Sequence, residues 1–367
     1  MKNNPHNIYI HVPFCMSKCN YCAFFSRACA APDWEKYTSD ICSEIVYWAQ
    51  KLGKIDVPTI FFGGGTPSLM PTKCFAQIIN TLRDNFNVDT DAEITLESNP
   101  GTLDRGRLGE FVQFGVNRLS VGVQSFDDTL LQLIGRRHTA QQAREAVAIV
   151  QQAGFDNISI DLMYALPSET MEQWQHDVAQ ALALGVQHIS SYGLIYEEGT
   201  VLMTLLEHGV VEAVDEDTEM QMYDYLVEKL TENGYLHYEV SNFAQPGRES
   251  KHNSSYWNDI PYLGLGAGAH SYDGKKRQWN VSELDAYIQQ AKAHAWQPEQ
   301  EYLTDEQRHT ERVMLGLRTN TGVAIEDVNR TRVEQYLQQG LLRLEGERLI
   351  ATTKGYHILN RIIEDLL

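Results

Sequence analysis

The stretch Ile8-Tyr9-Ile10-His11-Val12-Pro13-Phe14, followed at once by Cys15-Met16-Ser17-Lys18-Cys19-Asn20-Tyr21-Cys22, decides how the chain is read. Its first half is a short apolar run broken by proline, which is a strand signal. Its second half sets three thiols on a polar loop directly after that strand. Ligands of parallel sheets gather beyond the carboxyl ends of the strands, so these cysteines stand where chemistry is expected. Further along, the same pattern returns. Apolar runs at 59–62, 93–97, 118–123, 158–163 and 188–194 alternate with amphipathic stretches at 34–51, 72–85, 103–114, 139–152 and 171–184. Strand followed by helix, six times over, predicts an α/β fold with right-handed crossovers. The regular spacing favours a partial (β/α)6 barrel over a flat doubly wound sheet.

Composition narrows the function classes. The chain has 367 residues with 30 Lys and Arg against 49 Asp and Glu, a formal charge of −19. Nucleic acid and anionic lipid both demand a basic face, so no nucleic-acid partner and at most peripheral membrane contact are expected. Between Glu207 and Glu239 stand ten carboxylates and one base, Lys229, which reads first as a solvated helix face. No apolar run approaches the ~18 residues that span a bilayer. Residues 1–5 lead into the first strand without an apolar signal region, which predicts a cytoplasmic protein. The six cysteines do not form a disulfide framework, and in a reducing compartment a tight trio points to metal or catalysis.

Three thiolates without a second C-x-x-C pair do not make a structural zinc site, which takes four protein ligands. They suit a 4Fe–4S cluster with one iron left open. Cys42 and Cys74 read as core residues on helices. Gly63-Gly64-Gly65-Thr66-Pro67, after the second strand, offers close backbone approach to an amino-acid moiety, or simply a tight turn. Glu97, Gln124 and Asp161 are polar residues in or beside apolar strands, and a buried carboxylate needs a partner.

After about residue 200 the alternation stops. An acidic helix at 217–231 precedes a strand at 238–243 and a segment rich in glycine and aromatics at 251–272. From 301 the order helix, helix, hairpin, helix resembles a winged-helix-like α+β module, with a DNA-binding role or a lid as its two readings. The low basic content favours the lid. The expected divisions are a core over 1–235, a linking segment over 236–300 and a C-terminal module over 301–367.

C-x-x-x-C-x-x-C at the end of the first strand of such a repeat resembles the radical S-adenosylmethionine (radical SAM) superfamily. Tyr9–Cys15, Gly63–Pro67, Glu97-Ser98-Asn99-Pro100-Gly101, Gly122–Ser125, Arg136-Arg137-His138 and Asp161-Leu162-Met163 narrow the resemblance to its HemN/HemW branch. The resemblance implies that Cys15, Cys19 and Cys22 hold the cluster and that its open iron chelates SAM, whose reductive cleavage gives methionine and a 5′-deoxyadenosyl radical. It further implies a SAM site made of Tyr9, Tyr21, Gly64, Gly65, Thr66, Glu97, Gln124, Arg136 and Asp161, with the Arg136 fork suited to the SAM carboxylate.

This branch holds an oxygen-independent coproporphyrinogen III oxidase and a heme-chaperone paralogue. The oxidase carries a further cysteine where this sequence has Phe24, and an N-terminal extension that Cys15, so near the start, leaves little room for. Oxidase activity is therefore not expected, although a radical enzyme of porphyrin metabolism stays as the alternative. His252-Asn253-Ser254-Ser255-Tyr256-Trp257 resembles the chaperone's H-N-x-x-Y-W signature. The resemblance implies heme as cargo, contacts from His252, Asn253, Tyr256 and Trp257, delivery to respiratory proteins, and leaves room for a homodimer. Imidazole ligates iron and Tyr-Trp offers a flat apolar face; His237 and His270 compete with His252 as axial ligand.

Overall fold

A computed structural model describes residues 6–367; residues 1–5, read above for the absence of a signal region, lie outside the described residues. The six expected strands form β1 (Asn7–Val12), β2 (Asp56–Gly64), β3 (Asn87–Ser98), β4 (Arg118–Gln124), β5 (Ile158–Tyr164) and β6 (His188–Gly193), each parallel to the next. Between them run α1 (Trp34–Leu52), α2 (Thr72–Asn85), α3 (Arg105–Gln113), the short α4 (Asp128–Leu133), α5 (Ala140–Gln152) and α6 (Met171–Ala183). Local chemistry fixes their starts. Thr139 and Thr170 close capping boxes with Gln142 and Gln173, satisfying helix N–H groups that would otherwise have no partner.

Past residue 200 the structure departs from expectation. The boundary at 235 falls inside the sheet, and 236–300 is not a linker. It supplies β7 (Leu236–Glu239), β8 (Asn242–Ala244), β9 (Tyr262–Leu265), β10 (His270–Tyr272), β11 (Lys276–Trp279) and the first half of β12 (Glu299–Tyr302). The single strand expected at 238–243 is a hairpin, turned between Glu239 and Asn242. The resulting 12-stranded sheet runs β12-β11-β10-β9-β1-β2-β3-β4-β5-β6-β8-β7. β9 pairs parallel with β1, so a seventh parallel strand flanks the first. The fold is α/β, with the six parallel strands of the expected partial barrel in an open sheet. Among the described residues no helix is long and apolar enough to cross a membrane.

The acidic stretch folds as α8 (Glu216–Glu232), which follows α7 (Val201–Glu207). Asp215 caps α8 by accepting from Thr218 N, and Glu216, Asp217 and Glu219 crowd its first turn, where the helix dipole favours negative charge. Much of this acidity therefore has a local structural use. The C-terminal chain packs around its own apolar cluster, including Val313, Leu317, Leu349 and Ile362. There the order helix, helix, hairpin, helix is present. A third short strand (Val323–Ala324) is added, and the last helix breaks into Thr353–Tyr356 and Leu359–Leu366.

One buried carboxylate ties the added strands to the repeat. Glu44 on α1 accepts from Gly266 N (2.9 Å), Asn280 Nδ2 (2.7 Å), Tyr287 OH (2.7 Å) and Trp48 Nε1 (3.3 Å). Burial pushes it from 4.5 up to about 7. Between those values the folded chain holds a proton that the unfolded chain releases. Its contribution is thus complete below about pH 4.5 and is lost as pH rises through about 7. We expect the stability gap between wild type and Glu44→Gln to be largest below about pH 4.5 and to narrow by pH 8, as read from Tm against pH. A constant gap would contradict the assignment.

Candidate functional site

The cysteine loop is clipped to the ends of β1 and β2. Phe14–Cys15 pairs with Arg27–Ala28, Gly65 N donates to Val12 O at 2.8 Å, and Thr66 N donates to Phe14 O at 2.8 Å. This explains the glycine run in part. A Cβ on Gly64, whose φ is +111°, would sit 2.5 Å from the His11 ring, and one on Gly65 would sit 2.6 Å from Phe14 O. The glycines serve close packing of the loop and also line the cavity described next.

Cys15, Cys19 and Cys22 line one cavity of about 160 Å³ together with Tyr21, Gly64, Gly65, Thr66, Glu97, Gln124, Arg136 and Asp161. All three thiols are free and partly exposed. Thr66 Oγ1 donates to Cys15 Sγ and Arg136 Nη1 to Cys19 Sγ, each at 3.6 Å. Among the described residues no three His, Cys, Asp or Glu side chains converge on a single metal ion. A cluster of several irons spreads its thiolates more widely than one ion does, so three thiols around a cavity fit such a group. Tyr9 is the expected residue that does not line the cavity. Its hydroxyl meets His11 Nδ1 at 3.1 Å and its ring stacks on Phe61, so it lies behind the wall.

The electrostatics suit a cation. Burial, then the nearby Asp161, pushes Glu97 up to about 8, and burial raises Asp161 as well. Glu97 accepts from Gly64 N at 3.1 Å and Asp161 from Ser120 Oγ at 3.1 Å. A sulfonium or ammonium group would supply the missing positive charge. Gln124 has φ +70° at a register shift in β4, a strained position that turns its side chain into the cavity. The Arg136 guanidinium donates to Asn99 Oδ1 (2.6 Å) and Gly122 O, while its Nε is buried without a partner. Asn99 also donates to Thr66 Oγ1 at 3.0 Å, which links the third strand to the glycine turn. Its part was not read from the sequence, although it stands in the E-S-N-P-G motif.

A larger cavity of about 510 Å³ adjoins the first and shares Tyr21, Cys22, Phe24, Glu97, Gln124 and Asp161 with it. Phe61, Met163, Leu194 and Ile195 give it apolar walls, and Arg118, Ser120, Ser190 and Tyr192 add polar groups. Arg118 and Ser120 were missed. The signal was present: in Arg118-Leu119-Ser120-Val121-Gly122-Val123-Gln124 every second residue is polar or small, and strand alternation sends those to one face.

The expected heme motif needs correction. It forms α9 (Lys251–Trp257), where residues 252 and 256 share a face. His252 is buried, with Nδ1 2.7 Å from Thr59 Oγ1 and Nε2 2.9 Å from Tyr256 OH. Its ring lies 5.0 Å from that of Phe61, and burial holds its pKa down at about 3. Both ring nitrogens are thus engaged within the protein, one of them by Tyr256 of the same motif. Only Asn253 of this motif lines the large cavity, and Trp257 does not. His237 is half-buried, its ring stacked on that of Phe243 with centroids 4.4 Å apart. His270 is exposed, with its ring 5.7 Å from that of Trp279.

Comparison with known proteins agrees with this geometry. Residues 9–181 match the model of the radical SAM superfamily and residues 303–358 that of the HemN C-terminal domain. The chain is 34% identical to the heme chaperone HemW of Lactococcus lactis over 378 aligned residues, covering 100% of this chain and 98% of that one. The chain belongs to the HemN/HemW branch of the radical SAM superfamily. Another member, the heme chaperone HemW of Bacillus subtilis, is 37% identical over 86% of this chain and 84% of its own. Coproporphyrinogen III oxidase (HemN) from Escherichia coli has the same fold, with a TM-score of 0.83 over 99% of this chain and 90% of that one, at 21% identity. For this branch member, the radical SAM family implies a 4Fe–4S cluster and SAM. The three thiols, the unpartnered Arg136 Nε and the raised Glu97–Asp161 pair fit such groups and would hold them.

Proposed function

We propose that this protein is a heme chaperone that binds heme on a radical SAM scaffold and delivers it to respiratory proteins. The observation that carries the reading is the end-to-end similarity to proteins named heme chaperone HemW. Phe24, 73% exposed at the cysteine loop, supports it, because an aromatic replaces a potential further thiol beside the large cavity.

On this reading Cys15, Cys19 and Cys22 hold the cluster, and Tyr21, Gly64, Gly65, Thr66, Glu97, Gln124, Arg136 and Asp161 surround SAM. Bound SAM and the cluster supply one-electron chemistry. The chain's own residues orient the cofactor: Arg136 braces Cys19 and Asn99, and Glu97 and Asp161 balance positive charge. The protein acts in the cytoplasm, with a homodimer as a further working state. Glu212, Glu216, Asp217 and Glu219 on and before α8 form a docking face for a basic heme acceptor.

The test is anaerobic reconstitution followed by heme titration. A Soret band that saturates near one equivalent is expected. Absence of saturable heme binding overturns the proposal. Products formed from a porphyrinogen with SAM and reductant would assign the chain to enzymatic turnover instead.

A further inference from the structure

Arg118 is among the largest fully buried side chains of the protein, at 1% exposure. Its Nε has no hydrogen-bond partner, and no carboxylate stands within ion-pair distance of the guanidinium. A buried, unpaired cation is costly and ordinarily acquires a counter-ion. Glu97 and Asp161 feel the charge of Arg118 without bonding to it. Glu97 accepts instead from Gly64 N, and Asp161 from Ser120. Arg118 also lines the 510 Å³ cavity, whose other walls include Phe61, Met163, Leu194 and Ile195. The cavity thus sets the Arg118 guanidinium among these apolar walls, with Glu97, Asp161 and Glu197 also lining it, and adjoins the cysteine loop through Tyr21 and Cys22.

We propose that Arg118 is the carboxylate seat of this cavity, receiving a carboxylate carried on a flat apolar body. Resting on the heme-carrier reading, that group is a propionate of the heme cargo. The planar guanidinium can grip a carboxylate with two parallel hydrogen bonds, which an ammonium cannot do. Asn253, the motif residue that reaches the same cavity, lines it beside this group. The cargo then lies inside the sheet, against the cofactor cavity, rather than on the outer face of α9.

The experiment compares heme with heme dimethyl ester, in which both propionates are neutral, by absorbance titration of the full reconstituted protein. Wild type should bind heme about ten- to a hundred-fold more tightly than the ester, as expected for a charge-assisted pair in a dry site. Arg118→Gln should remove that preference, leaving ester affinity unchanged, and Arg118→Lys should restore part of it. Ile195→Trp, at a position 69% exposed in the cavity wall, should weaken both ligands without loss of fold. Equal binding of heme and ester by wild type overturns the seat while leaving the heme-carrier reading intact. This comparison needs no variant to fold. If wild type binds neither ligand, both the carrier reading and the seat fall.

Discussion

Single replacement of Cys15, Cys19 or Cys22 by alanine should reduce bound iron and sulfide after anaerobic reconstitution to background, whereas alanine at Cys29, Cys42 or Cys74 should leave loading near wild type. The contrast follows from placement. The first three thiols line the small cavity and have no disulfide partners. Cys74 is buried at 2% exposure, and Cys42 accepts a contact from Thr81 Oγ1 at 3.3 Å. Cys29 is held beside the loop through its backbone, where its N–H donates to Cys15 O at 2.9 Å. Burial raises Cys15 and Cys22, so iron binding must displace protons from neutral thiols. Loading should therefore fall as pH is lowered below neutrality. Iron retained in all three variants would contradict the cluster assignment.

The second large effect is expected in stability. Trp174→Ala should destabilise the fold by about 3–5 kcal/mol, the usual range for deleting a fully buried aromatic. Trp174 is wholly buried on α6, and its Nε1 donates to Met222 O on α8 at 2.8 Å. Its ring also lies 5.6 Å from that of Tyr164 at the end of β5. The substitution leaves a void and loosens the acidic helix from the sheet. Trp174→Phe keeps most of the packing but loses the donor, so it should cost only about 1 kcal/mol. Urea unfolding distinguishes the cases, and equal losses for the two variants would show that the void is not the dominant cost.

The repeat was legible because its strands are buried on both faces and read as apolar runs, as in 158–163. The cysteine loop was legible because three thiols so close together have few structural uses. What stayed hidden depends on contacts distant in sequence. β9 is only Tyr262–Leu265, set among glycines, and nothing local says that it pairs with β1. The hairpin at Glu239 and Asn242 interrupts what reads as one run. Arg118 reads as the polar start of a strand, and only the packed structure shows it buried beside a cavity. The surroundings of His252 were hidden in the same way. Imidazole beside tyrosine and tryptophan is the composition of a heme contact and equally of a packed ring, and its contact with Thr59 comes from far away in sequence.

The pairing of β1 with β9 constrains how the chain can be born. Asn7 lies beside Tyr262, so the strand that leaves the ribosome early gains its second neighbour only after some 255 more residues. Until then the edge of β1 next to the cysteine loop is open, and such an edge invites pairing with other chains. A chain ended at residue 235 would keep that edge permanently. The strand that carries the cysteine loop thus acquires its full surroundings only when residues 262–265 have arrived.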